Sequence, residues 1–462
     1  MIVHVRNFGK IESADIDLSD FTIFVGENNS GKSYLMQLIY GLENFIIEQS
    51  TVNFLKNFDY HSITNDSIEI KKDDANFYNA FRNDLNRLIK VHKENIIERT
   101  FHTRNLKIES LSIEFNKITD DYSLEIKDAD EENSDIDSYP KIKGKKIILI
   151  NKNGETIHRA RFIGFSFGQL NSQARSLFLS YVVLDQFKLS FSVINPQDTQ
   201  ILYLPASRSG LMLLYTNFFA NNNEDINKKN IGIIDTINDT QVVENEFGLT
   251  QPVYDFLTFL LKHKTSEMIS DDNKAIITFI DKKIINGSME KAGNTMRYKP
   301  ASSQSSLPIY LSSSLVSELT PIYQILSGIQ RYKFILYDEI ETCQHPTKQL
   351  QLARLLVRMV NAGYRMIVST HSDTMASAIN NLVSLSFKEN KNELISKLGY
   401  EPADILNSNN VNAYQFVIGE NGKTKVLEVP QHFSIGVGFD FNLFNNANNK
   451  IYEDAVKISE VD

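Results

Sequence analysis

Two stretches of alternating apolar and polar residues open the chain, about 2 to 8 and 11 to 17, and together read as a β-hairpin. Behind them the almost wholly apolar Phe21-Thr22-Ile23-Phe24-Val25 reads as a buried strand that runs directly into a glycine turn and a helix. From about 45 to 103, apolar residues recur at helical spacing, as in Phe81, Leu85, Leu88 and Ile89, which predicts a helical insertion. Period-two alternation returns over about 105 to 128 and 146 to 165, through Leu106, Ile108, Leu111, Ile113 and Phe115, and predicts antiparallel strands. A helix is expected near 167 to 190, then a strand Ile201-Leu202-Tyr203-Leu204 that Pro205 ends.

The polar run from Asn221 to Asn230 reads as a linker ahead of helices near 250 to 285, and Asn286-Gly287 marks another hairpin. The rest alternates strand and helix: Phe334 to Tyr337, a helix from Pro346, a strand Met366 to Ser369, and a helix after His371. Fully apolar strands alternating with helices imply a parallel sheet covered on both faces. The expected fold class is therefore α/β, with a mostly parallel central sheet, an antiparallel β subdomain and helical insertions. Along the sequence this divides the chain into a head segment 1–45, a helical insertion 46–104, head strands and a helix over 105–209, a second helical insertion 210–286, and a closing head segment 287–462.

Composition adds few constraints, since 42% hydrophobic and 23% charged residues over 462 positions are ordinary for a globular protein. The first residues lack a basic start followed by a long apolar run, and no later stretch is apolar enough to span a bilayer. A cytoplasmic location without membrane contact is expected. Cys343 is the only cysteine, which excludes an internal disulfide and a cysteine zinc site, and it is read as a packing residue. A formal net charge of -9 argues against a surface built wholly for nucleic acid. The densest basic run, Lys141, Lys143, Lys145 and Lys146, and the acidic loop DADEENSDIDS are read as solvated.

Chemistry concentrates at three strand ends. Gly26-Glu27-Asn28-Asn29-Ser30-Gly31-Lys32-Ser33 fits the G-x4-G-K-[S/T] phosphate loop without a mismatch, in the strand-turn-helix context that loop requires. Glycines let backbone N–H groups close round a phosphate, Lys32 reaches the β and γ phosphates of ATP, and the Ser33 hydroxyl ligates Mg2+. Lys333-Phe334-Ile335-Leu336-Tyr337-Asp338-Glu339 carries two acids at the end of an apolar strand, where open α/β sheets place ligands. Asp338 is expected to hold Mg2+, directly or through water, and Glu339 to polarise the attacking water. Arg365-Met366-Ile367-Val368-Ser369-Thr370-His371 ends a further buried strand on a histidine, expected to contact the γ-phosphate or its leaving charge.

The amino-terminal V-R-N-F-G-x-I pattern, the GENNSGKS loop, LYDEIE followed by His345-Pro346, and STHSD resemble the ABC-type ATPases of the overcoming-lysogenisation-defect group, related to the SMC and recombination-repair heads. The resemblance covers roughly residues 1 to 45 and 195 to 385 well and the helical insertions poorly. It implies an ABC-type P-loop ATPase head, working as a homodimer or higher homo-oligomer, with each ATP held between the phosphate loop of one subunit and a signature motif of the other. Leu311-Ser312-Ser313-Ser314-Leu315-Val316-Ser317-Glu318-Leu319 lies where that signature is expected, with Ser314 standing where the group usually has glycine. Ser312, Ser313 and Ser314 are expected to donate hydrogen bonds to the partner's γ-phosphate. Tyr203-Leu204-Pro205-Ala206-Ser207-Arg208-Ser209-Gly210 also resembles a segment of these ATPases, and Arg208 is expected either to aim at a phosphate or to lock an insertion onto the head. A glutamine loop is expected between 160 and 200, with Gln169, Gln173 and Gln197 left as alternatives.

Many relatives in that group add a carboxy-terminal TOPRIM nuclease. About 80 residues follow the helix after His371, too few for that domain, and Gln431 to Gly438 contains no acid, so the nuclease is expected to be absent. The resemblance then implies the regulatory ATPase of a bacterial anti-phage defence system that controls a separate toxin or nuclease. The alternative is an SMC-like DNA-repair or DNA-clamping ATPase, against which stand the acidic balance and the lack of a sustained heptad run.

Overall fold

Strand positions follow the alternation closely where the alternation is strong. In a computed structural model that describes residues 1–50, 67–72, 74–114, 120–128, 145–163, 178–179, 182, 185, 201–214, 248–292, 295–329, 332–432 and 438–459, the strands are β1 Ile2–Phe8, β2 Ile11–Asp17, β3 Phe21–Gly26, β4 Ser67–Ile70, β5 Ser110–Glu114, β6 Tyr122–Asp128, β7 Lys145–Lys152, β8 Glu155–Ile163, β9 Ile201–Leu204, β10 Gly287–Ala292, β11 Thr295–Pro300, β12 Leu307–Pro308, β13 Phe334–Tyr337, β14 Arg365–Thr370, β15 Val411–Ile418 and β16 Thr424–Glu428. Lys141, Lys143, Gln169, Gln173, Gln197, most of the acidic loop, most of the helix expected near 167 to 190 and the linker 221 to 230 lie outside the described residues.

The chain forms two compact units. One gathers Met1–Val3, Leu42–Lys93 and Leu111–Thr199; the other gathers His4–Gly41, Glu94–Ser110 and Gln200–Asp462. In these units the strands between residues 111 and 163 join residues 42 to 93.

In the first unit the antiparallel sheet has the order β4-β6-β7-β8. The presence of β4 corrects the expectation of helix throughout 45 to 103. Its sequence Ser67-Ile68-Glu69-Ile70 has period two, burying Ile68 and Ile70 and exposing Glu69, and pairing with β6 overrides the helical spacing on either side. Helix Ala75–Phe101 follows. It buries Phe77, Phe81, Leu85 and Ile89 at intervals of four, with the Phe77 and Phe81 rings stacked.

In the second unit the main sheet runs β1-β2-β16-β15-β3-β14-β13-β9. From β15 to β9 every neighbouring pair is parallel: Phe416 lies beside Gly26, Val25 beside Thr370, Val368 beside Tyr337, and Tyr337 beside Leu204. Every residue of β3, β9, β13 and β14 is buried, as strands covered on both faces require. Because these strands are parallel and in this register, their carboxyl ends share one edge of the sheet.

Helices complete the unit, and their ends carry their own sequence signals. Helix Pro346–Asn361 starts on a proline with His345 as its cap, and its apolar face buries Leu352, Leu355, Leu356 and Met359. Helix Asp373–Ser384 is capped by Ser372, whose hydroxyl accepts from the Met375 N–H at 3.2 Å. Helices Gln251–Lys262 and Asp271–Phe279 precede a π-helical turn, Ile280–Ile285, and the small antiparallel sheet β10-β11-β12. No helix among the described residues is long and apolar enough to cross a membrane.

Candidate functional site

The glycine loop leaves β3 at Gly26, where a Cβ would lie 2.8 Å from Phe416 Cβ and 3.0 Å from Phe416 O on the adjacent strand, so only glycine fits. Asn29 (φ 61) and Gly31 (φ 98) then take left-handed conformations and curl the loop ahead of helix Lys32–Ser50. That helix start is the positive end of its dipole. Glu27, Asn28 and Asn29 are exposed, Ser30 is buried, and Ser33 is half-buried in the first turn.

Lys32 is 4% exposed and folds back into its own loop. Its ammonium donates to the carbonyls of Gly26 at 3.0 Å and Glu27 at 2.8 Å, and to Ser30 Oγ at 3.3 Å. Burial lowers its pKa from 10.5 to about 8, against the opposing pull of Asp338, Glu339, Glu341 and Glu27.

At the end of β13, Asp338 is 2% exposed and gripped from both flanking strands. Ser369 on β14 donates its hydroxyl to Asp338 Oδ1 at 2.5 Å, and Tyr203 on β9 donates to Oδ2 at 2.8 Å. Gln37, from the helix behind the glycine loop, donates to the Tyr203 hydroxyl at 3.4 Å. Burial, with the negative charge of Asp338 beside it, holds the Tyr203 phenol well above its usual pKa, so it stays a donor.

Glu339 turns the chain with φ 45, a left-handed conformation that costs energy for any residue with a side chain. Its N–H donates to Ser369 Oγ at 2.8 Å, and its carbonyl accepts from Thr342 Oγ1 at 2.8 Å and Arg208 Nη2 at 3.0 Å. Its carboxylate lies 3.1 Å from His371 Nε2, while His371 Nδ1 lies 3.0 Å from the Gly26 carbonyl. The His371 N–H donates to Glu341 Oε1 at 2.5 Å. Lys32, Asp338, Glu339 and His371 are thus gathered at the shared sheet edge.

Arg208 points at no open site; it is wholly buried, and its guanidinium donates to the carbonyls of Pro205, Asp338 and Glu339. Ser312 donates to Ile309 O at 2.5 Å, and Ser313 caps helix Ser314–Ser327 by accepting from the Val316 N–H at 3.4 Å. Cys343, expected in the core, is exposed at φ 59 in the tight turn after Glu339, where a side chain points outward rather than into packing.

Tyr203, Ser369 and Gln37 were not singled out from the sequence. The available signals were a polar-tipped Tyr203 inside Ile-Leu-Tyr-Leu and a hydroxyl at the end of an apolar strand, both common without function.

The donor set suits a small hard cation beside a phosphate. Ser33 offers a hydroxyl and Asp338 a carboxylate, each Asp338 oxygen already taking one hydroxyl hydrogen and keeping a further lone pair. Among the described residues no group of three or more histidine, cysteine or acidic side chains is placed to hold a metal ion.

The family described as "AAA ATPase domain" matches over residues 1–376. Among curated proteins, none matches this sequence. Solved structures that are similar include the SMC head bound to the C-winged helix domain of ScpA, 12% identical over 93% of this chain and 97% of that chain with a TM-score of 0.35. The SMC head domain from Thermotoga maritima is 12% identical over 93% and 98%, with a TM-score of 0.33. The Smc head domain with an extended coiled coil, bound to the C-terminal domain of ScpA and derived from Pyrococcus furiosus, is 12% identical over 98% of each chain, with a TM-score of 0.34.

Proposed function

Since the chain belongs to the AAA ATPase domain family, we propose that it binds ATP with Mg2+ at the Gly26–Ser33 loop and hydrolyses it as an ABC-type head. The observation that carries this reading is the single imidazole of His371, which stands within 3.1 Å of Glu339 and 3.0 Å of the Gly26 carbonyl. It ties the glycine loop to the acidic strand end although 345 positions separate Gly26 from His371.

The loop and Lys32 hold the β and γ phosphates, and Lys32 exchanges its contacts with Gly26 O and Glu27 O for phosphate oxygens. Ser33 and Asp338 hold Mg2+, which when bound neutralises phosphate charge. Glu339 accepts a proton as water oxygen attacks the γ-phosphorus and the bridging oxygen leaves with ADP. His371 orients the Glu339 carboxylate and faces the phosphate edge. Ser312, Ser313 and Ser314, at the start of a 14-residue helix, meet the γ-phosphate held by a second copy, which makes the working unit a homodimer or higher homo-oligomer.

The GENNSGKS, LYDEIE and STHSD motifs support a role as the regulatory subunit of a cytoplasmic anti-phage system that controls a separate toxin or nuclease. ATP turnover by the purified chain tests the biochemical reading: wild type should turn over, and Lys32→Ala should abolish nucleotide binding. Equal rates for wild type and Lys32→Ala reject it. For the biological role, protection of cells from phage that survives Lys32→Ala would sink the proposal.

A further inference from the structure

Arg208 is the largest fully buried side chain among the described residues, and its guanidinium joins three elements of the second unit. One nitrogen donates to Asp338 O at 2.7 Å and Pro205 O at 3.0 Å, and another to Glu339 O at 3.0 Å. The guanidinium also stacks over the Tyr337 ring at 4.5 Å. Its Nε lies 2.5 Å from Oε2 of Glu318, an acid as buried as Arg208 itself. Glu318 sits one helical turn beyond Ser314 on helix Ser314–Ser327, and its other oxygen accepts from the Ser209 hydroxyl. A planar fork is needed here, because two successive backbone carbonyls and a carboxylate must be met at once.

We propose that Arg208 and Glu318 are a positioning pair that couples the serine-rich start of helix Ser314–Ser327 to the backbone carrying Asp338 and Glu339. This rests on the ATPase reading above. Around the left-handed backbone of Glu339, Ser369 holds its N–H while Thr342 and Arg208 hold its carbonyl. A displacement of the serine helix, as when a second copy's phosphate docks on Ser312 to Ser314, moves Glu318 and therefore the Arg208 fork. The peptide after Asp338 moves with it, and the Glu339 carboxylate changes its place relative to His371. A buried ion pair of this kind contributes less to net stability than to fixing one arrangement of the elements it joins.

The test uses the full chain as wild type, Lys32→Ala, Arg208→Lys and the double variant Arg208→Met with Glu318→Leu, each measured for melting temperature, nucleotide affinity and steady-state turnover. Removing both charges together is a change that buried pairs tolerate in stability. The expected result is nucleotide affinity within about threefold of wild type and kcat lower by roughly tenfold or more in both variants, since only the step after binding needs the coupling. If the double variant does not melt cooperatively, Arg208→Lys decides, because it keeps the charge and loses the fork. A kcat equal to wild type in a folded variant overturns the proposal, as does weakened affinity with kcat intact. A wild type no faster than Lys32→Ala overturns the ATPase reading instead, and this proposal with it.

Discussion

The Nε2 of His371 lies 3.1 Å from Oε1 of Glu339, and the opposite ring nitrogen faces the Gly26 carbonyl at 3.0 Å. Both partners are hydrogen-bond acceptors and a neutral imidazole carries one N–H, so each tautomer donates to one of the two, the acid or the glycine loop. Glu339→Gln keeps the shape and a hydrogen-bonding group toward His371, and removes only the capacity to take a proton. Nucleotide affinity should stay near wild type while turnover falls by about 10²- to 10⁴-fold, the usual contribution of a positioned general base. Single-turnover kinetics beside a binding titration separates the two; equal turnover in variant and wild type would take the catalytic role from Glu339.

The two hydroxyls on Asp338 lead to a second expectation. Tyr203→Phe leaves Asp338 Oδ2 without its donor in a buried site, and Ser369→Ala strips Oδ1 and the Glu339 N–H together. Each change should cost about 1–3 kcal/mol of stability, the penalty of an unsatisfied buried polar group. Because Asp338 is also the expected Mg2+ carboxylate, the Mg2+ concentration that half-maximally raises the melting temperature in the presence of nucleotide should shift upward. Melting curves over a Mg2+ series read this without turnover, and an unshifted midpoint would reduce both hydroxyls to packing.

Much of the fold and of this site is legible in the sequence, for a physical reason. Phe21 to Val25 and Phe334 to Tyr337 are almost wholly apolar and Met366 to Val368 is wholly so, as strands buried on both faces favour, and each strand ends in the residues that need the strand end. Such motifs are local. The grip of Tyr203 and Ser369 on Asp338 depends on which strands become neighbours, as does the link from Arg208 to Glu318, 110 positions later. Nothing in Ile-Leu-Tyr-Leu or Ser-Glu-Leu-Thr announces its partner. The strand Ser67–Ile70 was hidden for the opposite reason: four residues of period two are too few to stand out between two helical stretches.

Lys32 gives an expectation in pH. Burial lowers its pKa from 10.5 to about 8, so the free protein loses the ammonium as pH rises through 8. Phosphate oxygens favour the charged amine, which makes binding above pH 8 require uptake of a proton. Nucleotide affinity should be flat below pH 8 and then weaken, by at most about tenfold for each pH unit. Between 8 and 10.5 the unfolded chain holds this proton and the folded chain does not, so the same residue favours the folded state increasingly as pH rises. Calorimetry at pH 8.5 in two buffers of different ionisation heat measures the proton taken up; equal apparent binding heats in both would reject the linkage.

Away from the nucleotide site, Asp281 lies in the π-helical turn Ile280–Ile285, with Oδ1 buried and, among the described residues, lacking a hydrogen-bond partner. Burial raises its pKa from 3.8 to about 6. A raised carboxyl favours the fold below the unfolded value, where it is protonated in both states, and loses that advantage as pH climbs through 6 and the folded chain must bury a charge. Asp281→Asn never carries the charge, so its melting temperature should exceed that of wild type by a few degrees at pH 7 to 8. The gain should shrink as pH falls below about 6 and vanish near pH 4, where wild-type Asp281 is neutral as well. Melting curves from pH 4 to pH 8 follow this difference, and a gap of constant size across the range would mean that shape, not charge, decides the effect of the substitution.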